Sequence, residues 1–238
     1  MSNTPVIAFL PCRKGSQRVK HKNIRKFAGI EGGLTRVKIE QLVNCENIDK
    51  IVVSTDDDEV IKICESVLGT SSKDYIIDNR PKELASSETS TDELIQYVSR
   101  IIPEGEILWN HVTSPFLTST IYADAITAYK GLKEEEQCDS LTTVTKHQKF
   151  LWNKQGQAIN YDRSIEKWPR TQTLDPIYEL NSGIFLCNAS IYSDLQDRVG
   201  LNPYLFELNN LQAMDVDWEE DFELAEILWS KNNFRILQ

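Results

Sequence analysis

The sequence predicts an α/β protein with a doubly wound, mostly parallel, Rossmann-like sheet. Short apolar runs rich in β-branched residues alternate along the chain with segments whose apolar residues recur at helical spacing. Strands that alternate with helices form a mostly parallel sheet that the helices cover on both faces. In addition, chemically informative polar residues follow the strands, and ligands of such sheets bind outside the carboxyl ends of the strands.

Five strands are predicted, each a run of roughly five mainly apolar or β-branched residues, as expected of strands buried on both faces. In chain order they are Val6–Leu10, Ile51–Ser54, Ile107–Val112, Leu141–Thr145 and Ile184–Cys187.

Three helices are predicted between the strands, because apolar residues there share one helical face. The stripes are Val60, Cys64, Val67 and Leu68, then Leu94, Val98 and Ile101, and finally Ile121, Ala125, Ala128 and Tyr129. The second helix follows Ser90, and Glu93 three residues later completes a capping-box pattern. Ser90 is therefore predicted to be the N-cap of that helix.

We expect one domain over residues 1–238, since this length suits a single large α/β core. Residues 146–180 break the alternation of strands and helices. They contain Trp152, Trp168 and several charges without a clean period. We interpret this excursion as a small lobe or a subunit contact within the domain.

The composition excludes several classes of protein. The formal net charge of -10 makes nucleic acid an unfavourable main partner, because phosphate backbones bind to broad basic surfaces. No stretch approaches the roughly 20 apolar residues of a membrane span, and the N-terminus lacks a signal-peptide pattern, so we expect a cytoplasmic protein. Five scattered cysteines without a CxxC pair predict neither a disulfide framework nor a zinc site.

Residues 11–30 contrast with the acidic balance of the chain, for they carry seven Lys or Arg residues and no acid. The segment follows the first predicted strand and includes Gly15 and Ser16. A polyphosphate needs backbone N–H groups freed by glycine, a hydroxyl, and long cationic side chains such as those of Arg13 and Lys22. We interpret the segment as a phosphate-binding loop, and a solvated basic turn is the alternative.

Five residues of this loop keep a recognisable spacing, namely Arg13, Gly15, Ser16, Lys22 and Asn23. They resemble the N-terminal signature of the acylneuraminate cytidylyltransferases, the CMP-sialic acid and CMP-nonulosonate synthetases, and the resemblance continues over nearly the whole chain. It implies a nucleotidyltransferase-type fold, CTP and a sugar acid as substrates, and Mg²⁺ or another divalent cation as cofactor. It also implies a homodimer that exchanges contacts through the 146–180 excursion. The five residues would bind the nucleotide, and Arg13 and Lys22 would also be catalytic.

Two further segments resemble the substrate-binding parts of the same family. The implied base and ribose contacts are Arg80, Ser86, Ser90 and Thr91. For Ser90 the role of a plain N-cap stays open as an alternative. The implied sugar contacts are His111, which stands where the family has a glutamine, and Arg170, Gln172, Asn181 and Phe185. Arg170 would hold the carboxylate of the sugar acid by a two-point contact.

Asp215 and Asp217 precede a helical pattern near the end of the chain. Alternation at the end of a strand would point both carboxylates to one side, where they could bind Mg²⁺. The alternative is that Asp217 caps the following helix, with Glu220 three residues later. The resemblance implies that the two aspartates are the metal ligands. The base that deprotonates the attacking sugar hydroxyl would be either Asp217 or a metal-bound hydroxide.

The sequence therefore predicts a cytidylyltransferase that activates a sialic-acid-like sugar and releases pyrophosphate. Two other functions remain open at this point. One is a related sugar nucleotidyltransferase with a different base or acceptor, such as an octulosonate or a sugar phosphate. The other is a non-catalytic nucleotide-binding assembly protein.

Overall fold

The computed structural model describes residues 4–16 and 18–231, in which seven strands form one sheet with helices on both faces. The strands are β1 (Val6–Pro11), β2 (Lys50–Thr55), β3 (Asp74–Asn79), β4 (Glu106–Asn110), β5 (Ser140–His147), β6 (Ile177–Asn188) and β7 (Pro203–Leu208). The helices are α1 (Gly33–Val43), α2 (Asp58–Leu68), α3 (Thr91–Ile101), α4 (Ser119–Glu134), α5 (Ala189–Asp194) and α6 (Glu219–Lys231).

The sheet has the order β3-β2-β1-β4-β6-β5-β7. Among the seven described strands, only β6 runs against its neighbours, β4 and β5, and the other strand pairs are parallel. The chain runs from β1 outward to β3 and then returns to the other side of β1 with β4. The loops after β1 and β4 therefore leave the sheet side by side, which is where ligands bind in folds of this kind. The predicted fold class is confirmed.

Strand β1 consists of apolar residues without the polar alternation of a half-exposed strand, and its packing explains why. Val6, Ala8 and Leu10 pack into one buried cluster, which includes residues of α1, α2, α4 and α6. Ile7 and Phe9 pack into a second cluster on the other face, with residues of α3 and α5. Because both faces of the strand are covered, every position of the run is apolar.

All five predicted strands are present, although β4 ends at Asn110, two residues before the predicted end. The three predicted helices are α2, α3 and α4, and the capping box at Ser90 is confirmed by reciprocal bonds with Glu93. The stripe predicted for α4 packs against the core as expected, but it is wider than predicted. Its buried residues are Tyr122, Ala125, Ile126 and Tyr129, while Ile121 and Ala128 are only partly buried. The helical pattern predicted after Asp217 corresponds to α6, and four of these strands and helices were not predicted: β3, β7, α1 and α5.

The middle of the 146–180 excursion, between β5 and β6, is organised around one buried amide. Asn160 is 4% exposed and its side chain donates to the carbonyls of Lys149 and Asp175, both at 2.9 Å. It also accepts from the backbone N–H of Leu151 at 3.2 Å. These bonds hold together a segment with little regular structure, so the excursion has a defined shape.

All five cysteine thiols are free and buried, where they pack as small apolar groups. Within residues 4–16 and 18–231, no helix has both the length and the apolar character that crossing a membrane requires.

Candidate active site

The loop between β1 and α1 lies at the carboxyl edge of the sheet. Gly15 has a φ of +79° with open space around it, so glycine serves the left-handed backbone angle there. The Lys14 N–H donates to the Asp56 carboxylate at 2.7 Å, and the Asn23 amide donates to the Arg13 carbonyl at 3.2 Å. These bonds fasten the loop to itself and to the turn after β2.

Three adjoining cavities border this loop. The loop cavity, of about 400 Å³, is lined mainly by residues between 13 and 24. The central cavity, of about 340 Å³, is lined by Ser16, Arg18, Lys22, Asn23, His111 and Thr113, among others. The hydroxyl cavity, of about 390 Å³, is lined by Arg80, Ser86, Ser90, Thr91, His111 and Arg198, among others. Arg13 lines all three and marks their junction.

Lys22 connects the two ends of the sequence. Its side chain is largely buried, and its ammonium group donates to the Val216 carbonyl at 2.7 Å and lies 3.4 Å from the Asp217 carboxylate. Arg18 forms a second ion pair with the same carboxylate at 2.9 Å. The basic loop and the acidic segment, almost 200 residues apart in sequence, are therefore in direct contact, although neither Asp215 nor Asp217 lines one of the three cavities.

The two aspartates do not lie at the end of a strand, so that part of the prediction is wrong. They lie in the connection between β7 and α6, on either side of the buried Val216. The N–H of Val216 donates to the Thr113 carbonyl at 2.8 Å. This bond fixes the acidic segment against the loop after β4, without the regular alternation of a strand.

The predicted helix cap at Asp217 is also wrong. The carboxylate that accepts hydrogen bonds at the start of α6 is that of Asp221, from the N–H groups of Asp217 at 3.0 Å and Trp218 at 2.8 Å. Asp221 therefore has the helix-capping role that the sequence pattern predicted for Asp217 and Glu220. The Asp217 carboxylate stays available for Arg18 and Lys22.

The environment of Asp215 is unfavourable for the charged form of its carboxyl group. Burial raises the pKa of its carboxyl, and the neighbouring charges of Asp217 and Asp221 raise it further, against the opposing effects of Thr113 and Lys22. Its Oδ1 atom is buried and has no hydrogen-bond partner in the described residues. A buried carboxylate oxygen without a hydrogen-bond partner still needs a donor group or a cation in contact with it.

The acidic pair fits a divalent cation. Hard carboxylate oxygens suit Mg²⁺, and such a cation would satisfy the buried oxygen of Asp215. The part of the chain that the structure describes contains no cluster of three or more His, Cys, Asp or Glu side chains able to hold a metal. A cation bound by Asp215 and Asp217 would therefore complete its shell with water and substrate oxygens.

The hydroxyl cavity is built on a buried arginine. Arg80 is 4% exposed, and its guanidinium donates to the hydroxyl of Ser54 at 3.1 Å and to the Ser54 carbonyl at 2.7 Å. Burial lowers its pKa. Ser90 lines this cavity while its hydroxyl bonds the backbone N–H and the carboxylate of Glu93. The two predicted roles of Ser90, cap and cavity lining, are therefore geometrically compatible.

His111 borders both the central and the hydroxyl cavity. Its Nε2 atom accepts a hydrogen bond from the indole N–H of Trp109 at 3.1 Å. Burial lowers the pKa of His111 to about 3, and the charges of Arg198, Lys38 and Lys22 act in the same direction. The ring is therefore neutral at physiological pH and carries its proton on Nδ1, because an indole nitrogen can only donate.

Two polar residues of α1 position the loop that follows β4. The buried Lys38 donates to the Ser114 carbonyl and the Tyr122 hydroxyl, both at 2.8 Å, and burial lowers its pKa well below the ordinary value. Gln41 donates to the Pro115 carbonyl at 2.6 Å. Sequence reasoning missed both, since buried polar residues in a helix leave no apolar stripe.

Of the predicted sugar contacts, only His111 lines any of the three cavities, and it lines two of them. Arg170 and Gln172 lie exposed in the excursion. The side chain of Asn181, on β6, accepts from Thr143 at 2.6 Å and donates to Thr145 at 3.1 Å, both on β5. Phe185 is 5% exposed and packs in the second core cluster. The assignment of these four residues to the sugar stays a prediction.

A family model described as cytidylyltransferase matches residues 7–237. An N-acylneuraminate cytidylyltransferase of Escherichia coli O18:K1:H7 is 29% identical over 97% of this chain and 53% of its own length. This chain thus spans about half of that relative. A pseudaminic acid cytidylyltransferase of Campylobacter jejuni serotype O:23/36 is 27% identical, with 95% of this chain and 97% of its own covered. A 3-deoxy-manno-octulosonate cytidylyltransferase of Chlamydia abortus is 28% identical, and the alignment covers 75% of this chain and 69% of that relative.

Solved structures agree with the fold. A CMP:2-keto-3-deoxy-manno-octonic acid synthetase complexed with CTP superposes with a TM-score of 0.64 and 16% identity, covering 96% of this chain and 100% of that one. The 4-diphosphocytidyl-2C-methyl-D-erythritol synthase of Anaerococcus prevotii gives a TM-score of 0.62 and 11% identity, with 96% and 97% covered. At these identities the similarity concerns the fold alone.

Proposed function

Because the chain belongs to the cytidylyltransferase family, whose members are nucleotidyltransferases, we propose that it transfers CMP from CTP to a sialic-acid-like nonulosonic acid in the cytoplasm and releases pyrophosphate. The observation that carries this proposal is the contact of Lys22 with Val216 and Asp217, since it unites the basic loop with the acidic pair. The relatives named for N-acylneuraminate and pseudaminic acid support a nonulosonic acid as acceptor. The relative named for an octulosonate keeps that acid as the alternative.

The basic loop would bind the triphosphate of CTP. Arg13 and Lys22 provide positive charge, Ser16 a hydroxyl, and the backbone at Gly15 free N–H groups beside the loop and central cavities. Asn23 holds the Arg13 carbonyl and so maintains the shape of the loop. Preorganised positive charge stabilises the pyrophosphate as negative charge develops on it.

The acceptor would attack the α-phosphorus through its anomeric hydroxyl. As the new O–P bond forms, the bond from the α-phosphorus to the bridging oxygen breaks, and pyrophosphate departs with that oxygen. We assign the proton of the hydroxyl to the Asp217 carboxylate, which is paired with Arg18 and Lys22, two residues that line the central cavity. A divalent cation bound by Asp215 and Asp217 would supply further positive charge to the phosphates.

The part of the hydroxyl cavity that Arg80 lines would bind the cytosine and ribose. Arg80, Ser86 and Ser90 line the cavity from the connection between β3 and α3, and Thr91 lines it as the first residue of α3. Arg80 is held rigidly by Ser54, so it would stiffen this loop as much as contact the base. A rigid polar cavity discriminates strongly against bases that leave its donors unpaired.

A pyrophosphate-release assay tests the proposal. The four ribonucleoside triphosphates are crossed with N-acetylneuraminate, pseudaminate, 3-deoxy-manno-octulosonate and a sugar 1-phosphate. We expect turnover with CTP and a nonulosonic acid, and below about 1% of that rate with the other nucleotides. Preference for the octulosonate, the sugar phosphate or another nucleotide would favour the related nucleotidyltransferase. Binding of CTP without turnover of any acceptor would favour the non-catalytic assembly protein.

We further propose that the 146–180 excursion, within a single domain of residues 1–238, contacts a second copy of the chain. Large apolar side chains exposed in it support this proposal, among them Ile159, Ile165 and Trp168 at 55%, 85% and 65% exposed. Sedimentation velocity is expected to give the mass of a dimer for the wild type and of a monomer for a variant with Ile165→Glu and Trp168→Glu. A monomeric wild type would contradict the proposal.

A further inference from the structure

Arg198, in the connection between α5 and β7, was not selected by any sequence pattern. It lines the hydroxyl cavity together with Trp109, His111 and Ser182. Its guanidinium carbon lies 3.7 Å from the centre of the Phe185 ring and 5.0 Å from that of Trp109. Aromatic faces hold a planar guanidinium in place and leave the N–H groups at its edge free to donate.

The guanidinium of Arg198 has no hydrogen bond or ion pair with the described residues, although burial is sufficient to lower its pKa. Tyr192 and the Asp197 carboxylate raise the pKa of Arg198 less than burial lowers it, and Asp197 forms no ion pair with the guanidinium but accepts from the backbone N–H groups of Arg198 at 2.6 Å and Val199 at 3.2 Å. A partly buried arginine has five donors to satisfy. Arg198 is therefore positioned to donate hydrogen bonds to a ligand, because the described residues supply no hydrogen-bond acceptor for its guanidinium.

The residues around Arg198 limit the kind of ligand group to which its guanidinium can donate. Among the residues that the structure describes, no carboxylate lines the hydroxyl cavity. The two other arginines that line it already donate to protein groups, Arg80 to Ser54 and Arg13 to the Gly15 carbonyl. His111 contributes a donor, because Trp109 occupies its Nε2 and the proton is on Nδ1. A subsite of donors without an acidic residue suits a planar anion.

We propose that Arg198 binds the carboxylate of the sugar acid by a two-point contact and thereby determines specificity for acids, with the Nδ1–H of His111 as a further donor. The inference rests on the proposed function, which makes a sugar acid the second substrate. The resemblance implied the same contact for Arg170, which lines none of the three cavities. Because the basic loop provides donors for the triphosphate of CTP, the carboxylate of the sugar acid is the anionic group that remains for Arg198 to bind.

The test compares each acceptor acid with its primary carboxamide, which has the same shape but no charge. For the wild type we expect kcat/KM to favour the acid by about 10- to 100-fold, as a charge-assisted pair predicts. In Arg198→Met, which keeps the apolar stem against Phe185, this preference should fall below about 3-fold. Arg198→Lys should recover part of it, and the KM for CTP should change less than about 3-fold in both variants.

The control is Arg100→Met, which removes an exposed arginine that also lies over an aromatic ring, that of Tyr97. It should keep the preference of the wild type. If Arg198→Met also keeps that preference, or if it raises the KM for CTP and not that for the acid, the inference is wrong while the proposed function stands. If the wild type converts no acid at all, the proposed function fails, and the inference fails with it.

Discussion

Asp215→Asn is expected to lower kcat/KM by at least about 10³-fold and to raise Tm by a few degrees. The exchange keeps the size of the side chain and removes the charge that we propose for the cation and the phosphates. Without ligands that charge is unfavourable, because Oδ1 is buried without a hydrogen-bond partner and Asp217 lies close by. A relief of about 1 kcal/mol would move Tm by about 2–4 °C in a domain of this size.

The stabilisation should depend on pH. The pKa of Asp215 is raised in the folded protein, so its ionised form costs stability fully at pH values above that raised pKa. Below the pKa of the unfolded chain, about 4, the group is protonated in both states and the cost vanishes. Scanning fluorimetry without ligands should therefore show the largest gain in Tm near neutral pH and none below about pH 4.

The control for this prediction is Asp124→Asn, an exposed aspartate on α4 far along the chain from the acidic segment. We expect it to keep wild-type turnover and Tm. Wild-type turnover in Asp215→Asn would remove the acidic pair from the mechanism. A lowered Tm would show that its carboxylate stabilises the fold.

Lys22→Met is expected to lower kcat/KM by about 10²- to 10³-fold, because the ammonium group would neutralise charge that grows on the departing pyrophosphate. Unlike the change at Asp215, this one should also destabilise the protein. The ammonium group donates to the Val216 carbonyl at 2.7 Å and neutralises the Asp217 carboxylate. Loss of such a bond to a buried lysine costs about 1–3 kcal/mol.

Steady-state kinetics and urea unfolding measure the two effects separately. Lys26→Met is the matched control, since this lysine belongs to the same loop but is exposed and paired with Glu31. It should change kcat/KM less than about 2-fold. Equal losses of activity in Lys22→Met and Lys26→Met would mean that the loop acts only through its overall charge, which would contradict a specific role for Lys22.

The sequence predicted those parts of the fold whose residues bear a local pattern. β1 was predictable because both of its faces are covered, so that Val6–Leu10 is wholly apolar. β3 was missed because it is an edge strand with polar and exposed residues, and its pattern differs little from that of a loop. α1 was missed because the buried Lys38 and Gln41 interrupt its apolar face, and those same residues position the loop after β4.

The site was predictable where its residues are neighbours in sequence, as in the basic loop. The contact of Lys22 with Asp217 bridges almost the whole chain, so that composition and spacing could indicate each partner but not the distance between them. Arg198 had no signal, because its environment comes from Phe185 and Trp109 on two other segments. The strand-end geometry of Asp215 and Asp217 failed for the same reason, since Thr113 sets their position.

A crystal structure of the protein with CTP and Mg²⁺ would decide whether the two ends of the chain serve one nucleotide. We expect the triphosphate on the loop between Arg13 and Lys22, the cytosine in the hydroxyl cavity, and a cation in contact with Asp215 and a phosphate oxygen. CTP bound away from the loop, or a triphosphate that contacts neither Lys22 nor a cation held by Asp215, would contradict the proposed mechanism.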